Sequence, residues 1–335
     1  MQEYAREVLR IMTSQVMVSK RLFFLTASIG IAMGTAGETL DQTIEKADTA
    51  LYLAKKERNS AVLYTQEMEK ARTRDSIMEE DLRSALENRE LELYYQPIYD
   101  VRQNCINQAE ALLRWNHPEL GQVSPMEFIP IAERTRLIIP ITEWVLREAC
   151  QKLAQWNALG INGMILSVNL SFMSFENRGD ELTAFVKDSI QETGIDPASL
   201  KLEITESALM HDTDETVKVF HELKCIGVKL ALDDFGTGYS SFEYMKELPL
   251  DIMKLDRSLI SEIIMSEKEQ MIVSTMITII HALGLEAVVE GVETEAQYAL
   301  LKKYGADYIQ GFLFSKPLPA EDFVEYFHSM KGQVC

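Results

Sequence analysis

The sequence lacks several features that would assign it to other classes of protein. Four cysteines are present, but none of them forms a CxxC pair, which excludes the common zinc and dithiol redox motifs. Single scattered cysteines are typical of a reducing cytoplasm. No run of about 18 uncharged apolar residues occurs, and the first residues show no secretory signal. We therefore expect a cytoplasmic chain that makes no membrane contact itself, whereas a longer natural protein could be tethered upstream.

Basic residues are few relative to acidic ones. The chain has 33 lysine and arginine residues against 52 aspartate and glutamate residues, which gives a net charge of −19. A protein that binds a DNA or RNA polymer carries a basic surface, so we expect neither as a partner. A substrate that contains phosphate remains compatible with this charge, because a divalent ion held by acidic side chains attracts phosphate.

The length of 335 residues exceeds the roughly 250 residues of one α/β barrel and leaves room for a smaller unit. Residues 1–65 predict a partial α+β segment, with a helix over 2–17, a strand over 22–32 and a helix over 40–56. A core of that size is incomplete on its own. Residues 66–83 are highly charged, contain no glycine or proline and predict a helical linker that transmits orientation. A plain surface helix is the alternative for this linker.

Residues 84–330 alternate between short β-rich runs and longer helical patterns. The β-rich runs cover residues 91–99, 106–112, 165–170, 200–205, 229–233, 252–255, 287–290 and 308–312. Eight strands separated by helices predict a modified (β/α)8 TIM barrel. Only residues 100–105 separate the first two runs, which leaves no room for a crossover helix and predicts an antiparallel first strand pair.

Polar residues fall near the C-terminal ends of these strands, where barrel enzymes hold their functional groups. In chain order they are Glu110, Asn169, Glu203, Asp233, Asp234, Lys254, Glu290 and Gln310. A charged residue inside a short apolar strand is costly unless it is paired or bound to a metal. One such residue could belong to a buried ion pair, but several carboxylates on one rim repel one another unless cations neutralise them.

Oxygen ligands without histidine suit the hard ions Mg²⁺ and Mn²⁺. The polar set therefore predicts a metal site made of Glu110, Asn169, Glu203, Asp233 and Glu290. A pair of such ions activates water and stabilises the leaving oxygen of a phosphodiester. Position and ligand type together predict metal-assisted hydrolysis of a phosphodiester.

Two series of motifs resemble known families. The text "LTASIGIA" at 25–32 and "ADTALYLAKKERNSAVLY" at 47–64 resembles the C-terminal part of a GGDEF, or diguanylate cyclase, domain. The loop that would hold GTP in such a domain is missing from this chain, so we expect no cyclase activity. The second series comprises "YYQPIYD" at 94–100, "EALLRW" at 110–115, "VNLS" at 168–171, "LEITES" at 202–207, "DDFGTGYSS" at 233–241, "EGVET" at 290–294 and "QGFLFSKPLP" at 310–319. In this order and spacing, these motifs resemble the EAL-domain cyclic di-GMP phosphodiesterases.

The resemblance to EAL domains implies roles for individual residues. It adds Asp234 to the metal ligands and implies two ions, with Glu110 counted among the catalytic residues. Lys254 matches a lysine near the attacking water, either as a general base with a lowered pKa or as a charged group that orients the water. Glu206 matches the glutamate that steadies the loop over residues 234–241. The positions that meet the substrate are Gln96, Leu113, Arg114 and Gln310.

The resulting prediction is an enzyme that hydrolyses cyclic di-GMP to linear pGpG in bacterial second-messenger signalling. A catalytically silent cyclic di-GMP receptor or a regulatory module is the alternative. The resemblance also implies a homodimer formed through the barrel. The dipeptide His211-Asp212 invites comparison with the HD class of phosphodiesterases, but the remaining histidines of the five stand in no suitable array. We interpret His211 as a surface residue at the start of a helix.

Overall fold

The computed structural model describes residues 2–13, 15–18, 21–24, 26–57, 59–206, 213–236 and 247–330. They belong to two compact units, Met1–Asp81 and Leu82–Cys335, which are described separately below. Within the described ranges, every helix is too short or too polar to span a lipid bilayer.

The first unit combines helices with two pairs of short strands. Its elements are α1 (Gln2–Met12), β1 (Gln15–Val18), β2 (Arg21–Phe24), β3 (Ile29–Ile31), α2 (Leu40–Glu57), β4 (Ala61–Leu63) and α3 (Gln66–Asp81). Strands β1 and β2 pair antiparallel, and β3 and β4 pair in parallel. Helix α2 buries Ala50 and Ala54 completely. It lies so close to β3 that a Cβ atom at Gly30 would overlap the backbone of Ala47 and Leu51.

The structure corrects two predictions in this unit. The first helix ends at Met12 and not at residue 17, because residues 15–18 pair as a strand with β2. The strand predicted over 22–32 is two strands, β2 and β3, which belong to different sheets. Short apolar runs are compatible with helix or strand on periodicity alone, so the pairing partner decides between them. The helix predicted over 40–56 corresponds to α2.

The charged segment that follows forms helix α3, which packs on α2 within the first unit. The Tyr52 hydroxyl donates to Asp75 Oδ2 at 3.0 Å, and Arg72 Nη1 donates to Thr49 Oγ1 at 3.0 Å. Lys56 also forms an ion pair with Asp75. The helix ends at Asp81. The polar contacts explain how a helix with so few apolar residues is held against its neighbour.

The second unit is a closed barrel. Its strands are β5 (Leu91–Asp100), β6 (Cys105–His117), β7 (Gly121–Val123), β8 (Ile165–Leu170), β9 (Leu200–Thr205), β10 (Lys229–Phe235), β11 (Ile252–Leu255), β12 (Glu286–Val289) and β13 (Tyr308–Gln310). Helices include α4 (Pro125–Arg134), α5 (Ile138–Ala158), α6 (Gly179–Thr193), α7 (Thr213–Ile226), α8 (Glu267–Ala282), α9 (Glu295–Tyr304) and α10 (Ala320–Ser329). The predicted alternation of strands and helices is therefore confirmed.

Strand β5 closes the ring because it pairs with both β6 and β13, antiparallel to each. The pairs from β6 through β8 and onward to β13 are parallel. Strand β7 extends β6 as an antiparallel neighbour outside the ring. The modified TIM barrel with an antiparallel first strand pair is thus confirmed. Successive residues of a strand point to opposite faces, so every second side chain enters the barrel interior.

The C-terminal ends of the parallel strands form one rim of the barrel. The part of the interior that lies below this rim is largely apolar. Ile98, Ala231, Ile252, Val288 and Tyr308 come from five strands and form one buried cluster. All of them are at most 8% exposed. This layer stabilises the barrel through burial of apolar surface and supports the side chains that lie two residues further toward the rim.

Candidate active site at the rim of the barrel

A ring of polar side chains lies between the apolar layer and the rim of the barrel. Five members stand two residues from a member of the apolar cluster, and the other three stand two residues from a buried polar residue, so all eight share the inward face. The ring consists of Gln96, Glu110, Asn169, Glu203, Asp233, Lys254, Glu290 and Gln310. Glu290 directly follows β12, and its backbone N–H donates to Leu255 O at 3.0 Å, which continues the strand pairing. The structure thus brings together the polar residues that the sequence placed at the strand ends.

Lys254 lies at the centre of the carboxylates and is fully buried. Its Nζ is 2.5 Å from Glu203 Oε2 and 2.5 Å from Glu290 Oε1. The same Nζ is 3.3 Å from Asp233 Oδ1 and 3.4 Å from Glu110 Oε2. One ammonium group therefore balances part of the negative charge of four carboxylates, which would otherwise repel one another in a medium of low dielectric constant.

The buried charges shift the pKa values of the whole group. Burial by itself lowers the pKa of Lys254, but the surrounding carboxylates outweigh it and raise that pKa well above its ordinary value. Burial raises the pKa of Glu110 and Asp233, and raises that of Glu290 to about 8. Burial acts in the same direction at Glu203, where two neighbouring ammonium groups outweigh it and lower the pKa. Lys254 therefore keeps its proton, which favours the charged role over that of a general base.

Glu110 is held by amide donors on both of its oxygens. Asn169 Nδ2 donates to Oε1 at 2.6 Å, and Gln310 Nε2 donates to Oε2 at 2.7 Å. Gln310 Nε2 also lies 3.1 Å from Gln96 Oε1, and Gln96 Nε2 donates to Ser315 O at 3.1 Å. The two glutamines thus connect the carboxylate to β5 and β13, the two strands that come next to β6 around the ring. Hydrogen bonds to an ionised acceptor are the strong ones, so this network fixes the orientation of Glu110.

The donor set suits a divalent cation. Carboxylate oxygens of Glu110, Glu203 and Asp233 all lie within 4.8 Å of one another. Ligand oxygens on opposite sides of Mg²⁺ are about 4 Å apart, so slight side-chain movement brings all three to one ion. The raised pKa values of Glu110 and Asp233 agree with this interpretation, because a second cation would stabilise their charged forms. These residues therefore fit a Mg²⁺ or Mn²⁺ ion.

Asp234 follows Asp233 on an irregular stretch of backbone. In regular alternation, Asp233 and Asp234 would point to opposite faces of the strand. The pairing of β10 with β11 shifts register between Leu232 and Phe235, and Asp234 has a φ of 56°. Such a bulge redirects side chains, and aspartate tolerates the left-handed region better than most residues. Burial, followed by the nearby Asp256 carboxylate, raises the pKa of Asp234.

Glu206 lies beyond the end of β9 and is buried. Its Oε2 accepts a hydrogen bond from the backbone N–H of Gly236 at 3.0 Å. The contact fixes the backbone two residues after Asp234, which suits the steadying role that the resemblance implies. The rest of the predicted loop, residues 237–241, and the dipeptide His211-Asp212 lie outside the described residues.

Arg114 and Leu113 lie on β6 beyond Glu110, toward the rim, and both are partly exposed. The Arg114 guanidinium lies over the Tyr94 ring, with Cζ 5.4 Å from the ring centroid. Its Nη1 also donates to Leu113 O at 2.8 Å. These contacts hold the guanidinium in place with other N–H groups left to donate, since arginine has five.

Two further polar residues lie in the deeper layer, and the polar pattern at the strand ends did not predict them. Lys201 and Gln108 are fully buried, two residues before Glu203 and Glu110 on their strands. Lys201 Nζ donates to Gln108 Oε1 at 2.9 Å and lies 3.5 Å from Glu203 Oε1. Burial lowers the pKa of Lys201, and the Glu203 carboxylate opposes that shift. The signal for Lys201 was present in the sequence, because a lysine at an inward position of an apolar strand requires a partner.

The sequence profile of the EAL domain matches residues 79–317. This chain belongs to the EAL domain family. The profile of the diguanylate cyclase GGDEF domain matches residues 1–61, so this part of the first unit is a GGDEF fragment. Both resemblances derived from the motifs are thereby confirmed.

Similar proteins and structures extend over most of the chain. Bifunctional diguanylate cyclase/cyclic di-GMP phosphodiesterase MucR of Pseudomonas aeruginosa is 37% identical over 322 residues, which are 96% of this chain and 47% of MucR. Cyclic di-GMP phosphodiesterase NbdA of the same species is 35% identical over 329 residues, which are 98% of this chain and 42% of NbdA. The chain therefore spans about half the length of the curated relatives it matches. A solved structure of the PaMucR phosphodiesterase in complex with c-di-GMP has 41% identity and a TM-score of 0.70, and covers 73% of this chain and 99% of its own.

Proposed function

We propose that this chain is a metal-dependent phosphodiesterase that hydrolyses cyclic di-GMP to linear pGpG in bacterial second-messenger signalling. The observation that carries the proposal is the convergence of Glu110, Glu203, Asp233 and Glu290 around Lys254 at the rim of the barrel. The names of MucR and NbdA, and the c-di-GMP bound in the PaMucR structure, support cyclic di-GMP as the substrate.

The proposed cofactor is a pair of Mg²⁺ or Mn²⁺ ions. A bound pair would activate water for attack on phosphorus and balance the charge of the phosphodiester oxygens. The proposed ligands are Glu110, Asn169, Glu203, Asp233, Asp234 and Glu290. Asn169 gives its amide N–H to Glu110, which leaves its carbonyl oxygen as the atom available to a hard cation.

Lys254 and Glu206 are the remaining catalytic residues of the proposal. Because its pKa is raised, Lys254 remains an ammonium group that orients water and stabilises negative charge on the phosphate. Glu206 acts at a distance from the substrate, since it holds the backbone at Gly236 next to the paired aspartates.

Four residues are proposed to contact the substrate. Arg114 presents a planar donor fork that matches two phosphate oxygens, and Leu113 adds apolar surface next to it. Gln96 and Gln310 are buried at the floor of the site. Their amides are already fixed by mutual contact at 3.1 Å, so they can hold a nucleotide with little loss of side-chain entropy.

The deciding experiment is chromatography of products after incubation with cyclic di-GMP and Mg²⁺ or Mn²⁺. We expect pGpG from the unaltered chain and a loss of at least about 100-fold in turnover for Glu290→Gln. Glu286→Gln, at the opposite end of β12, is the matched control and should keep normal turnover. Absence of pGpG with either ion would reject the enzyme, and tight binding of cyclic di-GMP without turnover would assign a receptor instead.

The remaining proposals concern assembly, location and boundaries. We propose a homodimer formed through the barrel. Light scattering with and without cyclic di-GMP would test it, and a strict monomer at full activity would contradict it.

The chain is proposed to act in the cytoplasm, with a GGDEF-like segment at 1–65, a helical linker at 66–83 and the phosphodiesterase at 84–330. Incubation with GTP should yield no cyclic di-GMP, because the GTP-binding loop is missing from this chain.

A further inference from the structure

A second buried lysine lies beneath the rim, and the proposed reaction gives it no role. Lys201 is fully buried on β9, directly below Glu203 on the same inward face. Its Nζ is 2.9 Å from Gln108 Oε1 and 3.5 Å from Glu203 Oε1. The other oxygen of Glu203, Oε2, is 2.5 Å from Lys254. The Glu203 carboxylate is therefore held between two lysines, one at each oxygen.

An ammonium group at this depth is costly. Lys201 has no exposed surface, and the leucines on either side of it in β9, Leu200 and Leu202, are fully buried as well. Methionine would occupy the position without the penalty of removing a charge from water, and buried ion pairs are often replaced by apolar residues without loss of stability. Stability alone therefore does not explain a lysine here, whereas its contact with Glu203 offers an explanation.

We infer that Lys201 is a positioning residue, which fixes the inner oxygen of Glu203 and lowers the affinity of the rim for divalent cations. The inference rests on the proposed function, since it takes Glu203 as a metal ligand. Lys201 attracts Oε1 at an ion-pair distance of 3.5 Å, and Oε2 is the oxygen that contacts Lys254 at the rim. An anchored ligand keeps one geometry through the reaction, and misplacement of catalytic groups by about 1 Å costs roughly 100-fold in rate.

The charge of Lys201 opposes that of any cation bound above it. With the four carboxylates ionised, as metal ligands must be, and both lysines protonated, the buried cluster carries two net negative charges. Without Lys201 there would be three, and a divalent ion would bind more tightly. Even with the high dielectric constant of water, a single charge a few ångströms away changes the affinity for a divalent ion by about tenfold. Lys201 thus weakens metal binding and restricts the Glu203 carboxylate to one orientation.

The test is calorimetric titration of the metal-depleted chain with MnCl₂ in the absence of substrate, followed by measurement of kcat for cyclic di-GMP. Lys201→Met should bind Mn²⁺ about tenfold more tightly and have a kcat about tenfold lower. A residue that only supported the fold would not produce tighter metal binding together with slower turnover. Lys229→Met is the matched control, because Lys229 is the register neighbour of Lys201 on β10, is only partly buried and forms no ion pair with Glu203 among the residues that the structure describes. Its Mn²⁺ affinity should stay within about twofold of the unaltered chain.

The outcomes separate this inference from the proposed function. If the unaltered chain binds no Mn²⁺, the proposed metal site fails. If it binds Mn²⁺ and Lys201→Met binds with equal or lower affinity, the role of Lys201 is overturned. If Lys201→Met does not fold, Gln108→Glu replaces it, because that isosteric change keeps the lysine and offsets its charge at a contact of 2.9 Å. Gln108→Glu should also bind Mn²⁺ more tightly, and unchanged or weaker binding would overturn the inference.

Discussion

Ile252 and Lys254 lie two residues apart on β11, share the inward face of the barrel and are both fully buried. Ile252 belongs to the apolar cluster, whereas Lys254 lies among four carboxylates. Burial of the isoleucine is favourable by itself, but burial of the lysine is tolerable only because charged partners surround it. On β11, stability and chemistry are therefore separated by depth: the deeper residue stabilises the apolar cluster, and the residue nearer the rim belongs to the polar site.

Replacement of Lys254 should have the largest effect. Lys254→Met leaves the shape of the side chain and removes the charge, so turnover should fall at least about 1000-fold while cyclic di-GMP still binds. The metal-free chain should also lose about 3–5 kcal/mol of its free energy of unfolding, because four carboxylates lose their common partner. Product chromatography, calorimetric binding and urea denaturation measure the three effects. Near-normal turnover would show that the rim layer does not carry the chemistry.

Replacement of Ile252 should affect stability alone. Ile252→Ala leaves a cavity in the apolar cluster and should lower the free energy of unfolding by about 2–5 kcal/mol. The kcat of the folded fraction should remain within about twofold of the unaltered chain. Urea denaturation monitored by circular dichroism gives the first quantity, and the phosphodiesterase assay at low temperature gives the second. A kcat that fell as far as in Lys254→Met would mean that the two layers are not separate.

Glu206→Gln tests a residue that supports the polar ring from outside it. The change keeps the shape of the side chain but weakens the hydrogen bond from Gly236 N–H, which is 3.0 Å long. We expect kcat to fall about tenfold, equal to about 1.4 kcal/mol, with the affinity for Mn²⁺ nearly unchanged. The same kinetic and calorimetric assays apply. A loss of metal binding instead of turnover would move Glu206 from the supporting residues into the ligand set.

The pH dependence of stability in the metal-free chain tests one residue of the polar ring by itself. The pKa of Glu290 is raised from 4.5 to about 8, so the folded state binds more protons than the unfolded state between these values. The free energy of unfolding should therefore fall as the pH rises from about 4.5 to about 8. Glu290→Gln should flatten this slope, and thermal melts in EDTA across the interval measure it. A steeper slope in the variant would contradict the assignment.

Much of the barrel could be predicted from the sequence, because its parallel strands are short apolar runs that alternate with helical patterns. The predicted strands over 165–170, 200–205 and 252–255 match β8, β9 and β11 to the residue. The rim layer could be predicted for the same reason, since a polar residue at the end of an apolar strand stands out. In the first unit, strand β1 was missed because only its pairing with β2 distinguishes it from a helix.

Other features depend on geometry that the strand pattern does not contain. Regular alternation turns Asp234 away from Asp233, and only the bulge in β10, with its positive φ, redirects it. The charge state of Lys254 was open until the carboxylates around it were located, since burial and charge act in opposite directions on its pKa. Lys201 could have been found by counting two residues back from Glu203, but its contact with Oε1 could not.

The position of the Lys254 ammonium has a consequence for how the protein matures. Because this group already balances part of the charge of the carboxylates at the rim, we expect the chain to fold without a bound divalent ion. Ion uptake is then a reversible step that follows folding, in contrast to proteins whose metal must bind for the fold to form. Activity in the cell would accordingly follow the free concentration of the ion at each moment, and the same molecule could be switched off and on again as that concentration changes.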